Sequence, residues 1–312
     1  MSFTQNLGKV LRQNIRDYGM LIALFVIMVM FGVLTNGVFL SSRNISNLFN
    51  QTGYIAVLAV GMTLVIVIRQ IDLSVGFLAG FIGALAAIAL TAWSLPVYVA
   101  IPLVLVLGCF GGLITGFLVA RMKIPAFVAS LAGWLIYRGA LLLATEGTGT
   151  IIVPDPIFNA IGNGYIPDIV QGAGVHVLTL IIGLVAIVLY IVSEFNNRRK
   201  KQSYDFEVLP FEIFMVKLVV VSLILAAVTW VMAGYNGLSW TVVVVLVVVA
   251  LYHFITSETV LGRHIYAVGG NPEAAELSGI SFSRITYVVF GSMGMLAALS
   301  GILFTSRLQS AT

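Results

Sequence analysis

Charged residues are scarce in this sequence. Asp, Glu, Lys and Arg make up 9% of its 312 residues, whereas hydrophobic residues make up 60%. Soluble globular domains carry roughly 25% charged residues. The shortage excludes a water-exposed surface over most of the chain, and the mean hydropathy of +1.08 indicates that the lipid bilayer is its solvent. The sequence therefore predicts an integral membrane protein.

Cysteine and metal-binding patterns are also missing. Cys109 is the single cysteine and lies within an apolar run, which excludes an intrachain disulfide framework and a cysteine-based metal site. The histidines, His176, His253 and His264, lack the spacing of metal ligands. Because the pattern contains no paired carboxylates and no nucleophile with its base, we expect no catalytic residue, no metal and no cofactor in this chain.

Two further motifs are absent. The first apolar run is longer than the core of a signal peptide and has no small-residue cleavage pattern behind it, which favours an anchored first span. No Gly-x-x-x-x-Gly-Lys-Ser/Thr phosphate loop occurs, so the chain is not expected to bind nucleotide in the usual P-loop manner.

Long apolar runs, separated by short charged clusters, make up most of the chain. Runs of about 18 to 25 residues are typical of transmembrane helices, so we predict an all-α, polytopic helical membrane protein with about nine spans. The predicted spans are residues 19–38, 53–68, 76–93, 96–120, 126–144, 174–193, 212–234, 240–256 and 284–305. Residues 68–72 interrupt the second and third runs, which form either two thin spans or a partly re-entrant pair.

Basic residues indicate the orientation. With the N-terminus in the cytoplasm, thirteen of the sixteen Lys and Arg residues lie inside, and the three outside are Arg43, Arg138 and Arg307. The net charge of +4 therefore reports membrane topology and not nucleic-acid binding. Residues 145–173, with no Lys or Arg, are predicted to form an outer loop. The whole chain, 1–312, is predicted to be a single transmembrane domain.

A polar segment, residues 261–281, lies between the last two predicted spans on the cytoplasmic side and is too polar to span. Asn271 can cap a helix, Pro272 suits its first position, and Glu273 meets the positive end of its dipole. Gly279 can adopt the left-handed conformation that ends a helix. The segment therefore predicts a two-turn helix.

The side chains of this short helix are compatible with a docking role. Ala274, Ala275 and Leu277 are expected to form a compact, mostly apolar side, while Glu273 and Glu276 stay polar. Such a helix can dock into a groove of a soluble partner.

Three stretches of the chain resemble a known family. Glu273-Ala274-Ala275 with Gly279 matches the EAAxxxG pattern of the coupling loop in bacterial ABC importer permeases. The other matching stretches are Gly262-Arg263, residues 265–271 and 277–280, residues 40–48, 61–66 and 71–76, and residues 124–128 and 131–133. In order and spacing they resemble the ribose, xylose and galactose branch, and look most like xylose or multiple-monosaccharide permeases.

The resemblance implies a function and a set of partners. A permease of this family passes a monosaccharide from a periplasmic sugar-binding protein into the cytoplasm by alternating access. It works as one of two permease copies, a homodimer here, in the bacterial cytoplasmic membrane, with ATP hydrolysis on a partner P-loop ATPase. The residues that the resemblance assigns to ATPase coupling are Gly262, Arg263, Gly269, Gly270, Asn271, Pro272, Glu273, Ala274, Ala275, Leu277, Ser278 and Gly279.

The chain departs from the family pattern in two places. Arg69-Gln70 precede Ile71 where family members commonly have a small pair, which makes this junction bulkier. The resemblance also implies a further Gly-rich C-terminal segment with at least one more span, which is expected to be missing from this chain.

Other positions have two interpretations. Asp72, Ser74 and Gly76 are candidates for the translocation path or a gate, although Asp72 can equally cap the third span at the cytoplasmic interface. Small residues form stripes suited to close helix packing, or to lining a pore, on the fourth span and on the third. The stripes are Gly108, Gly112 and Gly116, and Gly76, Gly80 and Ala84.

The basic run at residues 198–201 also has two interpretations. It is expected to determine topology and contact lipid phosphates, and the alternative is an ATPase or regulatory contact.

Alternative functions remain open at this point. Related permeases share the architecture, so the substrate can also be a nucleoside, an autoinducer sugar or a branched amino acid. A gradient-driven carrier or channel would usually have internal repeats or membrane-buried charges along a path, and neither is evident.

Overall fold

Helices dominate the computed structural model, which describes residues 15–146, 149–170 and 174–312, except the side chains of residues 15–18 and 21. They are α1 (Ile15–Leu34), α2 (Ser42–Val67), α3 (Val75–Thr91), α4 (Val97–Ala120), α5 (Ala126–Ala144), α6 (Pro156–Asn163), α7 (Val177–Ser203), α8 (Phe211–Ala233), α9 (Trp240–Glu258), α10 (Val260–Gly270), α11 (Pro272–Leu277) and α12 (Phe282–Leu308). A 3-10 turn (Val38–Leu40) and two strands, β1 (Ile151–Ile152) and β2 (Ser310–Ala311), complete the regular structure of these residues.

Some residues on which the predicted orientation and the predicted outer loop depend lie outside the described part of the chain. Lys9, Arg12 and the side chain of Arg16, which contributed to the predicted orientation, lie outside the described residues, as do residues 147–148 and 171–173 of the predicted outer loop.

Seven helices in the described part of the chain are long and apolar enough to cross a membrane: α2, α4, α5, α7, α8, α9 and α12. Two shorter apolar helices, Ile22–Leu34 and Val75–Thr91, coincide with the first and third predicted spans. The prediction of an all-α polytopic membrane protein is confirmed, and the count of nine spans is approximate.

The predicted start of the second span was wrong. α2 begins at Ser42, well before residue 53, and its 26 residues form one continuous helix. The apolar run starts only at residue 53, but the polar residues Ser46 and Asn50 ahead of it are helical and only 2% and 3% exposed. The Asn50 side-chain amide donates a hydrogen bond to the Tyr165 hydroxyl at 3.1 Å. A buried polar group with a partner is compatible with a helix interior.

The described chain divides into two units. The larger comprises Phe49–Tyr165 and Ser239–Thr312, and the other comprises the residues before Phe49 together with Ile166–Leu238. In the larger unit α12 is the central helix, because 72% of its most apolar window is buried, against 33% or less in the other long helices. It packs chiefly on α4, α3 and α6.

Glycines bring the backbones of α4 and α12 into contact. A methyl group at Gly112 would overlap the carbonyl oxygen of Phe290, and one at Gly294 would overlap the carbonyl oxygen of Gly108. Gly108, Gly112 and Gly116 are all buried. The small stripe of the fourth span is therefore a helix-packing surface, since close approach in lipid depends on small residues.

At Gly80, the small stripe on α3 faces α5 and not the central helix α12. A methyl group at Gly80 would lie 3.3 Å from Leu141 of α5, and one at Gly76 would meet no atom within 4 Å. The close contact between α3 and α12 uses Gly83 instead, where a methyl group would overlap the Thr305 side chain. At Gly80 the predicted stripe therefore packs against α5, while the contact with the central helix is made at Gly83, outside the stripe.

The larger unit has two distinct ends. At one end β1 pairs antiparallel with β2, Ile151 opposite Ala311, so the segment after α5 is joined to the end of α12. At the other end the termini of α2 and α4 and the start of α12 surround a cavity beside α11. Segments predicted to share a side of the membrane thus share an end of the unit.

Candidate functional site

The short helix α11 forms as its local sequence predicts. The side-chain oxygen of Asn271 accepts a hydrogen bond from the Ala274 amide at 3.1 Å, and Pro272 occupies the first position. Gly279 has φ +84°, in the left-handed region, and the Ile280 amide donates to the Ala275 carbonyl at 2.9 Å. Both ends of the helix are closed by its own residues, so α11 is a preformed element.

The apolar side chains of α11 do not share one side, contrary to the prediction. Ala275 is 5% exposed and belongs to the core, whereas Leu277 is 92% exposed. Residues two apart are about 200° apart around an α-helix, which separates them. Ala274 and Leu277, three apart, share the outer face instead, flanked by the exposed Glu273 and Glu276.

Glycines fix the preceding helix, α10, to its neighbours. Ile265 and Val268 are 1% and 0% exposed. At Gly262 a methyl group would overlap carbonyl oxygens at the end of α9, and at Gly269 it would overlap the carbonyl oxygen of Val67 in α2. The predicted coupling residues therefore divide into inward anchors, which include these glycines, and the outward group around Leu277. The exposed Arg263 is not an anchor.

Arg69 joins the end of α2 to the coupling segment. Its guanidinium donates a hydrogen bond to the carbonyl oxygen of Gly270. The backbone of Arg69 has φ +60°, and the Gln70 amide donates to the Val65 carbonyl at 3.0 Å, which closes the end of α2. In the sequence, Arg69 is a bulky departure from the family pattern and one of the basic residues predicted to lie inside. Arg69 is distinguished by a long hydrogen-bond-donating side chain at a backbone position with positive φ, where glycine is favoured.

A cavity of about 550 Å³ separates α11 from the ends of α2 and α4. Arg69 and Lys123 line it from the helix ends, and Glu273 and Glu276 line it from α11. Among the residues that the structure describes, these four side chains form no ion pair. The cavity leaves room for α11 to move toward the helix ends, and the opposite charges favour that approach.

Asp72 and Ser74 form a buried turn ahead of α3. The two residues are 2% and 1% exposed, and one carboxylate oxygen of Asp72 accepts from the Ser74 amide at 2.9 Å and hydroxyl at 2.6 Å. Burial raises the pKa of the Asp72 carboxyl above its ordinary value, although the two hydrogen bonds from Ser74 act in the opposite direction.

A neighbouring helix holds this turn in place, and Ser74, not Asp72, occupies the N-cap position of α3. Ser130 of α5 donates a hydrogen bond to the Ile71 carbonyl at 3.3 Å, so the turn is packed against α5. Gly76 is the third candidate of this group and makes no comparable contact. The structure therefore brings together Asp72 and Ser74, and a role of the three residues in a path or gate stays a prediction.

Replacing Asp72 tests the two interpretations. Asp72→Ala removes the acceptor of a buried amide and is expected to lower the free energy of unfolding by about 1–2 kcal/mol. Asp72→Asn keeps a hydrogen-bond acceptor, so its free energy of unfolding should fall by less than half of that amount. Thermal unfolding of the detergent-purified variants measures both, and equal losses would contradict capping. A transport defect in a stable Asp72→Asn variant would instead support the gate.

A metal site would require several His, Cys, Asp or Glu side chains close together. No group of three or more His, Cys, Asp or Glu residues is placed to hold a metal ion within the described ranges. The expectation that the chain carries no metal or cofactor stays a prediction.

Comparisons with known proteins place the chain in a family. Residues 44–312 match the family described as branched-chain amino acid transport system, permease component. The xylose transport system permease protein XylH of Haemophilus influenzae is 39% identical over 295 residues, covering 95% of this chain and 76% of that protein. XylH of Escherichia coli is 34% identical, covering 95% and 73%. The ribose import permease protein RbsC of Haemophilus influenzae is 32% identical, covering 93% and 69%.

No solved structure matches the chain significantly. The resemblance to ABC importer permeases of the ribose and xylose branch is confirmed, because the family match and these relatives cover most of the chain. The chain therefore belongs to the family of branched-chain amino acid transport system permease components, and it is a multi-pass transport permease.

Proposed function

We propose that this permease carries xylose, or a similar pentose or hexose, across the bacterial cytoplasmic membrane by alternating access. The relatives named for xylose transport, at 39% and 34% identity over 95% of the chain, support this substrate class. The observation that carries the proposed mechanism is the Arg69 contact with Gly270, since it connects the end of the membrane helix α2 to the end of α10, two residues before the preformed helix α11 begins.

The energy comes from a partner P-loop ATPase that docks on α11. Leu277 projects from the outer face and enters an apolar groove of the ATPase, while Glu273 and Glu276 contact polar residues around that groove. Displacement of α11 pulls on α10, from which it is separated by Asn271 alone, and α10 passes the displacement to α2 through Gly269 and the Arg69 contact with Gly270. The chain itself is non-catalytic.

The proposal also includes the orientation of the chain in the membrane and two further partners. The N-terminus and α11 lie in the cytoplasm, which agrees with thirteen of sixteen basic residues on that side. A periplasmic sugar-binding protein delivers substrate at the opposite face. A second copy of the chain completes the path, as in the family.

Substitutions in α11 test the coupling role. Glu273→Gln and Gly279→Val are expected to lower sugar uptake per ATP hydrolysed by roughly tenfold, within the range that coupling free energies of about 1–3 kcal/mol produce. Membrane insertion should be unchanged. The measurement is xylose uptake and phosphate release in proteoliposomes that contain the permease, its ATPase and its binding protein.

Two matched controls separate coupling from local strain. Glu258→Gln removes an exposed carboxylate at the end of α9. Gly174→Val places valine at φ +73°, close to the +84° of Gly279, and neither glycine has an atom within 4 Å of an added methyl group. Coupled transport equal to wild type in both α11 variants would refute the assignment of α11.

A second candidate substrate is a branched amino acid, which the family description favours. Uptake of labelled xylose, ribose and leucine, each with its cognate binding protein, distinguishes the candidates. Uptake of leucine alone would replace the sugar assignment and leave the coupling mechanism untouched.

A further inference from the structure

The helical hairpin of α7 and α8 carries an apolar groove. Its volume is about 390 Å³, and α7 contributes Ile187, Ile191 and Phe195, which recur every four residues. On α8 the lining extends from Met215 to Ala226, a length of about 16 Å at a rise of 1.5 Å per residue. One leaflet of the hydrocarbon core is about 15 Å thick. The groove therefore has the length of one acyl chain of a phospholipid.

One polar group lies within the groove. Ser222 lines it, and its buried hydroxyl has no hydrogen-bond partner among the described residues. The rest of the lining is hydrocarbon apart from the Met215 sulfur. The lining thus suits an acyl chain far better than a sugar or another polar ligand.

A basic pocket lies at the end of the hairpin where α7 terminates. It has a volume of about 130 Å³ and is lined by Arg198, Lys201 and Lys217, together with Glu194 and Glu207. Lys217 contacts both carboxylate oxygens of Glu194 at 2.9 Å, which neutralises that carboxylate.

Arg198 is held in place and does not extend freely from the helix. Its guanidinium donates to the Leu209 carbonyl at 2.7 Å and lies 4.8 Å from the ring centroid of Phe214. Phe214 in turn packs edge-on against Phe195, a groove residue, with centroids 5.3 Å apart. A chain of contacts therefore connects the basic pocket to the apolar groove.

Further charges surround this pocket. α7 continues to Ser203, ten residues past the predicted end of its span, so Arg199, Lys200 and Lys201 follow Arg198 on a helix. All three are exposed. The acidic residues of the connection are Asp205 and Glu207, and Glu212 lies in the first turn of α8. With Glu194 neutralised by Lys217, four basic residues face three acidic ones, and the basic ones are consecutive.

We propose that this hairpin binds an anionic phospholipid, with one acyl chain in the groove and the phosphate at Arg198, Lys201 and their basic neighbours. The length of the groove and the cationic residues at its mouth together select this occupant, since a neutral lipid would use only the groove. The site is independent of the substrate and of the ATPase contact.

Native mass spectrometry of the purified chain tests the proposal. We expect one phosphatidylglycerol to bind more tightly than phosphatidylcholine with the same acyl chains. Combined Arg199→Gln, Lys200→Gln and Lys201→Gln should weaken phosphatidylglycerol binding by about 100-fold, at roughly fivefold per removed charge. The matched control, Arg263→Gln, alters an exposed charge outside the hairpin and should leave binding unchanged.

A second variant examines the groove. Ser222→Trp fills it and should abolish binding of the tight lipid, whereas Leu184→Trp, at a position 63% exposed and outside the lining, should not. Equal affinity for both lipids, or tight phosphatidylglycerol binding in both the triple and the Ser222→Trp variants, would overturn the proposal. A lipid-free dimer that Ser222→Trp dissociates would overturn it too, since a second copy would then occupy the groove.

Discussion

Replacing Gly112 with leucine is expected to lower the free energy of unfolding by about 3 kcal/mol, the upper part of the usual range for overpacking. The reason is that the first added carbon would overlap the carbonyl oxygen of Phe290, which is backbone and cannot rotate away. Helix α4 would have to separate from α12, the most buried long helix of the larger unit. Thermal unfolding in detergent, followed by size-exclusion chromatography of a fluorescent fusion, measures the loss.

The matched control for this substitution is Gly139→Leu. A methyl group at Gly139 would meet no atom within 4 Å, so the same change should cost little there. Gly294→Ala should reproduce the loss from the opposite helix, because its methyl group would overlap the Gly108 carbonyl. The double variant should lose less than the sum, since one separation of the helices relieves both overlaps. Equal stability of Gly112→Leu and Gly139→Leu would contradict the packing derived for α4 and α12.

Replacing Arg69 with glycine should separate transport from folding. Glycine removes the hydrogen bond to Gly270, but it also adopts φ +60° without the strain of about 1 kcal/mol or more that an ordinary residue carries there. Because Arg69 is exposed, water replaces part of the lost bond, and stability should change by less than about 1 kcal/mol. Sugar uptake per ATP hydrolysed should nevertheless fall by roughly tenfold.

Lys123→Gly is the control for Arg69→Gly. Lys123 follows α4, has φ +56° and lines the same cavity, so glycine relieves the same kind of backbone strain. The hydrogen bond to Gly270 in the described part of the chain comes from Arg69 and not from Lys123, so replacement of Lys123 should leave coupling intact. Equal coupling in the two variants would remove Arg69 from the transmission path. Loss of coupling in both variants would indicate that coupling depends on the basic charges that line the cavity and not on the hydrogen bond to Gly270.

Much of α11 was predictable from sequence, because its boundaries depend on local interactions. The Asn271 side chain caps the amide three residues downstream, Pro272 has a fixed φ, and Gly279 accommodates a positive φ. Each effect acts within a few residues and needs no knowledge of distant segments. The prediction that Ala275 and Leu277 share one side of α11 was wrong, because helical geometry separates them and the position of the core decides which face is buried.

Two other errors had a related cause. The second span was predicted to start at residue 53, with the apolar run, whereas α2 starts at Ser42, where Ser46 and Asn50 are buried and Asn50 contacts Tyr165. The end of α7 was placed too early because a basic run looked like a loop, although Lys, Arg and Gln are good helix formers. Hydropathy identifies the part of a helix that lies in lipid and not the part that extends beyond it.

From composition and motifs alone came the membrane environment, the helical class, the family and the short capped helix, since these depend on solvent partition and on interactions between near neighbours in the chain. Contacts between segments far apart in sequence came from the folded structure: Gly112 against Phe290, Gly269 against Val67, and Arg69 with Gly270. In lipid, helices do not associate through hydrophobicity, so the partner of each small residue depends on how whole helix surfaces fit together. The sequence therefore shows where the small residues lie, but not which helix surface each of them packs against.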